Sequence, residues 1–452
     1  MSAGLEEFTY VYRNQSTLDL TDGVDLRLAT SSGAAHPYFF DGLVERADVV
    51  AAALLVVARV ARTRFYTPPG MLAAILTAAD PIVTSNGDRL RFESFSACCG
   101  VYSRLDVLPE GLDRPPRDTG TTNVDFNSPM RDALSGVRGL DPMHLAVGDD
   151  EVRITTLDGS AVERKVPLPP RWVKGLAEVQ LASSAMTERA SVSAVDVRRL
   201  VQSLPRTSPR GTLHVVRSGS GLRVAARAAA GSVPVAGLER LRVLEPMLRH
   251  ASGVRAYAHP DTATQTEAGS GWQVDLPGSR LTVLLSPSVS RGFSGEGGVL
   301  FDLADPSAAA DADLVSALLA FDPSIDVDRL ADGAGLPQGR VRRALTHLAA
   351  AGRVGYDLAD ASYFHRELPF QPATKTRRQA RLDDARTLVD GGHVSIEDDV
   401  SRVRSADTVH VVRHTPEGDR CTCTWFASHG LSRGPCKHIL AAQIHRRDPL
   451  SP

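Results

Sequence analysis

The stretch Cys421-Thr-Cys423-Thr-Trp425-Phe426-Ala-Ser-His429-Gly-Leu-Ser-Arg433-Gly434-Pro435-Cys436-Lys437-His438 decides how the C-terminal part of the chain folds. Two tight donor pairs, CxC and CxH, stand 12 residues apart. A tetrahedral zinc ion takes thiolate at about 2.3 Å and imidazole at about 2.0 Å. Residues i and i+2 of a strand share a face, so Cys421 and Cys423 can chelate from one strand or its end. Gly434 and Pro435 predict a turn that brings Cys436 back, and His438 opens the apolar run Ile439, Leu440, Ala441, Ala442 and Ile444. Three thiolates and one imidazole fill a tetrahedron and leave no position for water. The expectation is a structural Zn2+ site rather than a catalytic one. A segment of this size buries little core, so metal binding stands in for it.

The flanking residues agree. Thr408–His414 reads as a strand, Pro416, Glu417 and Gly418 as a turn, and Arg420 onward as the return strand. The CxC–x12–CxH pattern, with Trp425 and Phe426 after the first pair and Lys437 inside the second, resembles the SWIM zinc finger over roughly Val400 to Arg446. The resemblance places the ligands at Cys421, Cys423, Cys436 and His438. More loosely, the whole chain resembles bacterial SWIM-finger proteins of actinomycete type. The runs that contribute are Phe95-Ser-Ala-Cys-Cys-Gly100, Gly120-Thr-Thr-Asn-Val-Asp-Phe-Asn127 and Arg164-Lys-Val-Pro-Leu-Pro169. What this resemblance implies is zinc binding, a role in protein or DNA interaction, and a setting beside a MoxR-type AAA+ ATPase and a von Willebrand A protein. It implies no chemistry of the chain's own.

The chain has 452 residues, which predicts several domains. Its hydrophobic fraction of 42% and charged fraction of 23% are those of an ordinary globular protein. A formal net charge of −2 excludes a global polyanion-seeking field, so any nucleic-acid contact needs a local basic face. Three of the five cysteines lie in the metal motif and the other two are the neighbours Cys98 and Cys99, which is no disulfide framework. This usage predicts a reducing compartment, and the expected location is the cytoplasm. The N-terminal residues lack the basic and apolar regions of a signal peptide. The most apolar run, Val49 to Ala58, is too short to span a bilayer, so no membrane association is expected.

The expected fold class is multidomain α+β: a mixed N-terminal half, a winged-helix-like helical module and a small zinc-stabilised finger. Residues 1–165 read as an N-terminal α+β domain, with strands at Phe8–Arg13 and Leu90–Phe95, helices at about Arg46–Thr63 and Met71–Ala79, and a turn at Asn86-Gly87-Asp88. Residues 108–129 read as a long ordered loop or a linker. Residues 166–305 read as a β-rich α+β domain. It opens with a helix at Trp172–Leu181. Hairpins follow at Leu213–Val216 with Leu222–Ala226 and at Trp272–Leu276 with Leu281–Leu285. A helix from Gly237 towards His250 should be broken at Pro246.

Residues 306–370 read as the helical module. Asp311 is expected to cap a helix carrying Leu314, Val315, Leu318 and Leu319. A second helix carries Val327, Leu330, Ala331 and Ala334, and a third carries Val341, Leu345 and Leu348. Val354–Asp357 and Tyr363–Arg366 then form a wing, as in a winged helix-turn-helix. The outward face of the third helix would show Arg340, Arg343, Thr346 and His347 with Arg342 beside them, a candidate nucleic-acid surface. From Gln338 to Arg386 there are 10 Lys or Arg against 5 Asp or Glu. Residues 371–386 read as a basic linker and 387–452 as the finger.

Other candidates carry less. Cys98 and Cys99 point to opposite sides of a strand, which suits burial better than chelation. Asn123, Asp125 and Asn127 read as a hydrogen-bonded turn or exposed face rather than a cation site. The glycine-rich Arg291–Gly298 lacks the Gly-Lys-Ser/Thr ending of a phosphate loop. His393, His410, His414, His429 and His445 crowd the finger, but four better ligands exist. No Ser-His-Asp arrangement is visible in the sequence. The expected function is therefore a non-enzymatic interaction protein that docks a protein partner. Nucleic acid is the second partner class, and an enzyme with its site in residues 1–300 the third reading.

Overall fold

The structure is a computed structural model. It describes residues 17–19, 25–27, 38–66, 81–205, 211–219, 221–260, 269–293, 297–319, 322–368, 380–416, 418–431 and 433–447. The expected strand at Phe8–Arg13 and helix at Met71–Ala79 lie outside the described residues, as does most of the basic linker.

The described chain begins with two short paired strands, β1 (Thr17–Asp19) and β2 (Asp25–Arg27). Next come β3 (Tyr38–Leu43) and helix α1 (Ala47–Arg62). The next strands are β4 (Ile82–Asn86), β5 (Leu90–Phe95), β6 (Val101–Val107) and β7 (Thr119–Asn123). Helix α2 (Ser128–Gly136) precedes β8 (His144–Gly148), β9 (Glu151–Thr156) and β10 (Gly159–Arg164). The expected loop at 108–129 thus contains a strand. Helix α3 (Pro170–Ser184), β11 (Thr187–Val192), α4 (Ala194–Ser203), β12 (Thr212–Ser218), β13 (Gly221–Ala225) and β14 (Val233–Ala236) follow. Leu238–Met247 is a 3-10 helix rather than an α-helix. Pro246 lacks the N–H that α-helical bonding needs, which favours the tighter form. Strands β15 (Gly253–Ala258), β16 (Ser270–Leu276) and β17 (Ser279–Leu285) close this part.

The central sheet has the order β11-β15-β16-β17-β6-β5-β4-β7 and is antiparallel throughout. The boundary expected at 165/166 therefore falls within one continuous sheet, because β6 pairs with β17 along its whole length, from Val101↔Leu285 to Val107↔Ser279. Side chains alternate strictly between its faces. Leu90, Phe92, Val101, Leu105, Val107, Leu281, Val283 and Leu285 pack in one apolar core with α1, whose Val49, Val50, Leu54 and Val57 are fully buried. The alternate residues Arg91, Glu93, Arg104, Asp106 and Arg280 look to the other side, and all five are buried.

That second face is covered by α3, whose Trp172 packs against Phe95, and by the hairpin of the helical module. The module comprises α5 (Val299–Leu303), α6 (Pro306–Ala317), α7 (Val327–Ala334), α8 (Gln338–Ala350) and the hairpin β18 (Val354–Asp357) with β19 (Ser362–His365). Helix α7 is capped by Asp326, whose carboxylate accepts from the Asp328 and Arg329 amides, and ends at Gly335 with φ +63°. Helix α6 begins at Pro306 behind an Asp305 cap, not at Asp311 as expected. That start turns Ala308, Ala312 and Val315 inward and leaves Leu314 and Leu318 on the surface.

The hairpin does not stand free. Asp357 accepts ion pairs from Arg280 at 2.6 Å, Arg104 at 3.0 Å and Arg91 at 3.4 Å. Asp106 meets the same three guanidiniums at 3.1, 2.9 and 3.5 Å. Arg366 pairs with Glu93, and the Phe364 ring lies 4.1 Å beneath the Arg91 guanidinium. A buried ionic cluster thus fastens the hairpin to the sheet.

The chain closes with α9 (Ala380–Asp390), strands β20 (Val394–Glu397), β21 (Val400–Ser405), β22 (Thr408–Arg413) and β23 (Arg420–Cys421), and helices α10 (Thr424–His429) and α11 (Lys437–Arg447). The expected linker end at 386 falls inside α9. One apolar core runs from Ala177 on α3 through α5–α9 to Val403, Val412 and Ile439–Ala442 of the finger. Among the described residues no helix is long and apolar enough to cross a membrane.

Candidate metal centre

The four-stranded sheet β20-β21-β22-β23 carries α11 and α9 on one face. Strand β23 pairs for only two residues, Val412↔Cys421 and Arg413↔Arg420, before turning away. Cys421 therefore sits at a strand end. Cys423 is the N-cap of α10, and its sulfur accepts from the Phe426 amide at 3.4 Å. Gly434, with φ +74°, makes the turn before Cys436, and the Cys436 carbonyl accepts from Leu440 at 3.1 Å to start α11. His438 then lies in the first turn of that helix.

All four donor atoms lie within 4.8 Å of one another, and all four residues are buried. The Cys421 sulfur and His438 Nδ1 are 3.8 Å apart. In a zinc tetrahedron with Zn–S about 2.3 Å and Zn–N about 2.0 Å the S–N edge is about 3.5 Å and the S–S edge about 3.8 Å, so a small contraction brings the set to ligand distance. A hydrogen bond from the Cys421 thiol holds Cys436 well below the usual thiol range and raises Cys421 in turn, while burial raises Cys423. Three thiolates this close repel strongly unless a cation lies between them. The opposite ring nitrogen of His438, Nε2, is buried without a hydrogen-bond partner, and the His410 ring stacks on the same imidazole at 4.1 Å. The donor set is soft and fits zinc.

Two further contacts brace the site. The Arg381 guanidinium, from α9, lies 4.5 Å over the Trp425 ring and donates to the Arg433 and Pro435 carbonyls at 3.0 and 2.8 Å. It grips the loop between the ligand pairs. On the other side, Ser401 Oγ meets His414 Nε2 at 2.8 Å and His414 Nδ1 meets Asp419 at 2.7 Å. Gln443 of α11 donates to the second Asp419 oxygen at 2.8 Å. This is a Ser-His-Asp run that the sequence did not reveal, because its members meet only through strand register. Ser401 is 0% exposed, and the run ties the Cys421 strand to the His438 helix. His429 stacks edge-on against Trp425 and His393 is exposed.

The candidate nucleic-acid surface on α8 differs from expectation. Arg340 pairs with Asp311 (Nε–Oδ2 2.8 Å) and Arg343 with Asp305 at 3.1 Å. Thr346 is buried and donates to the Arg342 carbonyl at 3.1 Å. His347 is half-buried, and burial together with Arg386 lowers its pKa. Only Arg342 is exposed. The reason is that α8 is central to the module, with α6 against one side and α3 against another, so little of it is outward.

Elsewhere, Cys99 is buried, its thiol pushed up to about 11 by burial, and it has φ +53°. Cys98 is half-buried, with the Ser96 hydroxyl 3.5 Å away. Asn123 donates to the Val166 carbonyl, Asn127 caps α2 by accepting from Met130 at 3.2 Å, and the half-buried Asp125 lies between them. Of the glycine-rich run, residues 294–296 lie outside the described residues. The buried Arg cluster under the hairpin also escaped the sequence reading. Its signal was the alternation Arg91/Glu93 and Arg104/Asp106 in otherwise apolar strands.

Residues 393–446 match the SWIM zinc finger family. The chain thus carries a SWIM zinc finger with its Cys/His cluster assembled at one point. No curated protein matches the chain. Among solved structures it is similar to the proliferating cellular nuclear antigen of Entamoeba histolytica, at 10% identity and a TM-score of 0.36. That match covers 55% of this chain and 98% of the other. The PCNA2–PCNA3 complex of Sulfolobus tokodaii aligns at 9% identity and a TM-score of 0.38, with the same coverage. Scores this low have no bearing on function.

Proposed function

We propose that this chain is a non-enzymatic, zinc-structured interaction protein whose SWIM finger docks a protein partner. The observation that carries the reading is the convergence of Cys421, Cys423, Cys436 and His438 in one buried set. Zn2+ held there would act structurally, fixing β23, α10 and α11 where apolar burial alone is too small. The helices and hairpin of 306–370 serve as a winged-helix-like adapter that carries the finger on the sheet. The resemblance to SWIM-finger proteins encoded beside MoxR-type ATPases suggests an AAA+ ATPase or a von Willebrand A protein as the partner, within a reducing, cytoplasmic setting.

The rival reading, DNA binding through α8, is weakened because Arg340 and Arg343 are already paired with acids and the hairpin is committed to the sheet. A test is affinity purification of the full chain from native cells, with and without nuclease, beside a Cys436→Ser chain. The reading expects a stoichiometric protein partner that survives nuclease and is lost with Cys436→Ser. Recovery that vanishes with nuclease would overturn it in favour of nucleic acid.

A further inference from the structure

The finger's sheet has two faces, and only one is covered by α9 and α11. Ser401, Val403, Val412 and Cys421 point to the covered side and are buried. The register places the alternate residues together on the open side: Arg402↔Val411, Arg404↔Val409, Val400↔Arg413 and Arg413↔Arg420. Arg402, Arg404, Arg413 and Arg420 are all exposed, and Val409 is 47% exposed between them. Glu397 pairs with Arg402 at 3.5 Å. Among the described residues no carboxylate within salt-bridge distance serves Arg404, Arg413 or Arg420. Arg413 and Arg420 stand directly opposite each other, an arrangement that costs stability in a sheet.

Resting on the docking reading above, we propose that this open face is the finger's binding surface and that its occupant is a short acidic, partly apolar protein segment. Charge complementarity selects the sign: an anionic partner relieves the Arg413–Arg420 repulsion and finds guanidinium donors in forked geometry. The interleaved Val400, Val409 and Val411 select a partner with apolar side chains between its acids. Arginine is also enriched at protein interfaces. Two observations favour protein over nucleic acid. The strands on this face present no aromatic side chain on which a base could stack. Exposed acids also close both ends of β21, with Asp398 and Asp399 at one turn and Asp407 at the other. A continuous phosphate backbone would run into them, whereas a short segment fits between.

The test uses the full, metal-loaded chain and a fluorescein-labelled peptide of alternating glutamate and leucine. A glutamine-for-glutamate peptide and single- and double-stranded DNA form the other arms. The double substitution Arg413→Glu with Arg420→Glu should weaken the acidic peptide at least tenfold, with metal content unchanged. The single substitution Arg420→Thr should keep or raise the melting temperature, since it removes a like-charge pair. No binding of the acidic peptide, equal binding by the double variant, or tighter binding of DNA through the same arginines would each overturn the proposal. A native protein partner that the double variant still retains would refute this face and leave the docking function standing.

Discussion

Replacing Asp357 with alanine should be among the most damaging single changes in the molecule, although the residue is not part of the Cys/His cluster. Its carboxylate is 0% exposed and faces Arg280, Arg104, Arg91 and Arg89 at 2.6, 3.0, 3.4 and 3.8 Å. Removing it leaves Asp106, with Asp360 at the edge of the cluster holding Arg280 at 2.8 Å, to offset the three guanidiniums. Breaking a buried pair by deleting one partner costs about 3–5 kcal/mol, and the loss here should fall in that range. Total stabilities run to about 5–15 kcal/mol, so a large share would be lost. The melting temperature should fall by about 10 °C. Burial alone would raise this carboxyl, but the guanidiniums of Arg104, Arg280 and Arg91 hold it well below the usual carboxylate range. Its contribution is therefore complete above the unfolded value of about 3.9 and is lost as pH falls towards the depressed folded value. Urea unfolding of wild type, Asp357→Ala and Asp357→Asn at neutral pH reads the difference directly. A loss under about 1 kcal/mol would show that the cluster is not what holds the hairpin down.

Metal chelation, or Cys436→Ser, should release stoichiometric zinc and expose the apolar face of α11, measurable by elemental analysis and protease nicking near residue 430; full metal retention by Cys436→Ser would contradict the ligand set. Glu163 is buried and its pKa is pushed up to about 7 by that burial. Its neutral form favours folding, so its contribution is complete below the unfolded value of about 4.3 and is lost as pH rises through about 7. Glu163→Gln should thus raise the melting temperature at pH ~8 and change little at pH ~4; equal effects at both would refute the assignment. Arg340→Ala with Arg343→Ala should leave any DNA affinity and its salt slope unchanged, whereas a slope reduced by about one contact each would reinstate α8 as a nucleic-acid surface.

The Cys/His cluster was legible because its chemistry is local. Four donors in two pairs, a Gly-Pro turn and an apolar helix all lie within 25 residues of sequence, between Arg420 and Ile444. The hairpins at Leu213–Ala226 and Trp272–Leu285 were legible for the same reason, since alternation and a glycine turn set them. What stayed hidden depends on pairing between distant strands. Nothing near Val101 announces Ser279–Leu285 as its neighbour, so one sheet read as two domains. Asp357 and Asp360 read as acids on a wing because their arginine partners lie up to 271 positions away in the chain. Arg340 and Arg343 looked outward because Asp305 and Asp311, which neutralise them, sit on another helix whose start was misplaced.

The apolar continuum from α3 to α11 makes the finger a poor cassette. Excised at residue 387, it would carry bare the leucine and alanine side chains that now rest on α9, and the remainder would carry the matching scar. Both fragments should aggregate, and grafting the finger onto another scaffold would need α9 to travel with it.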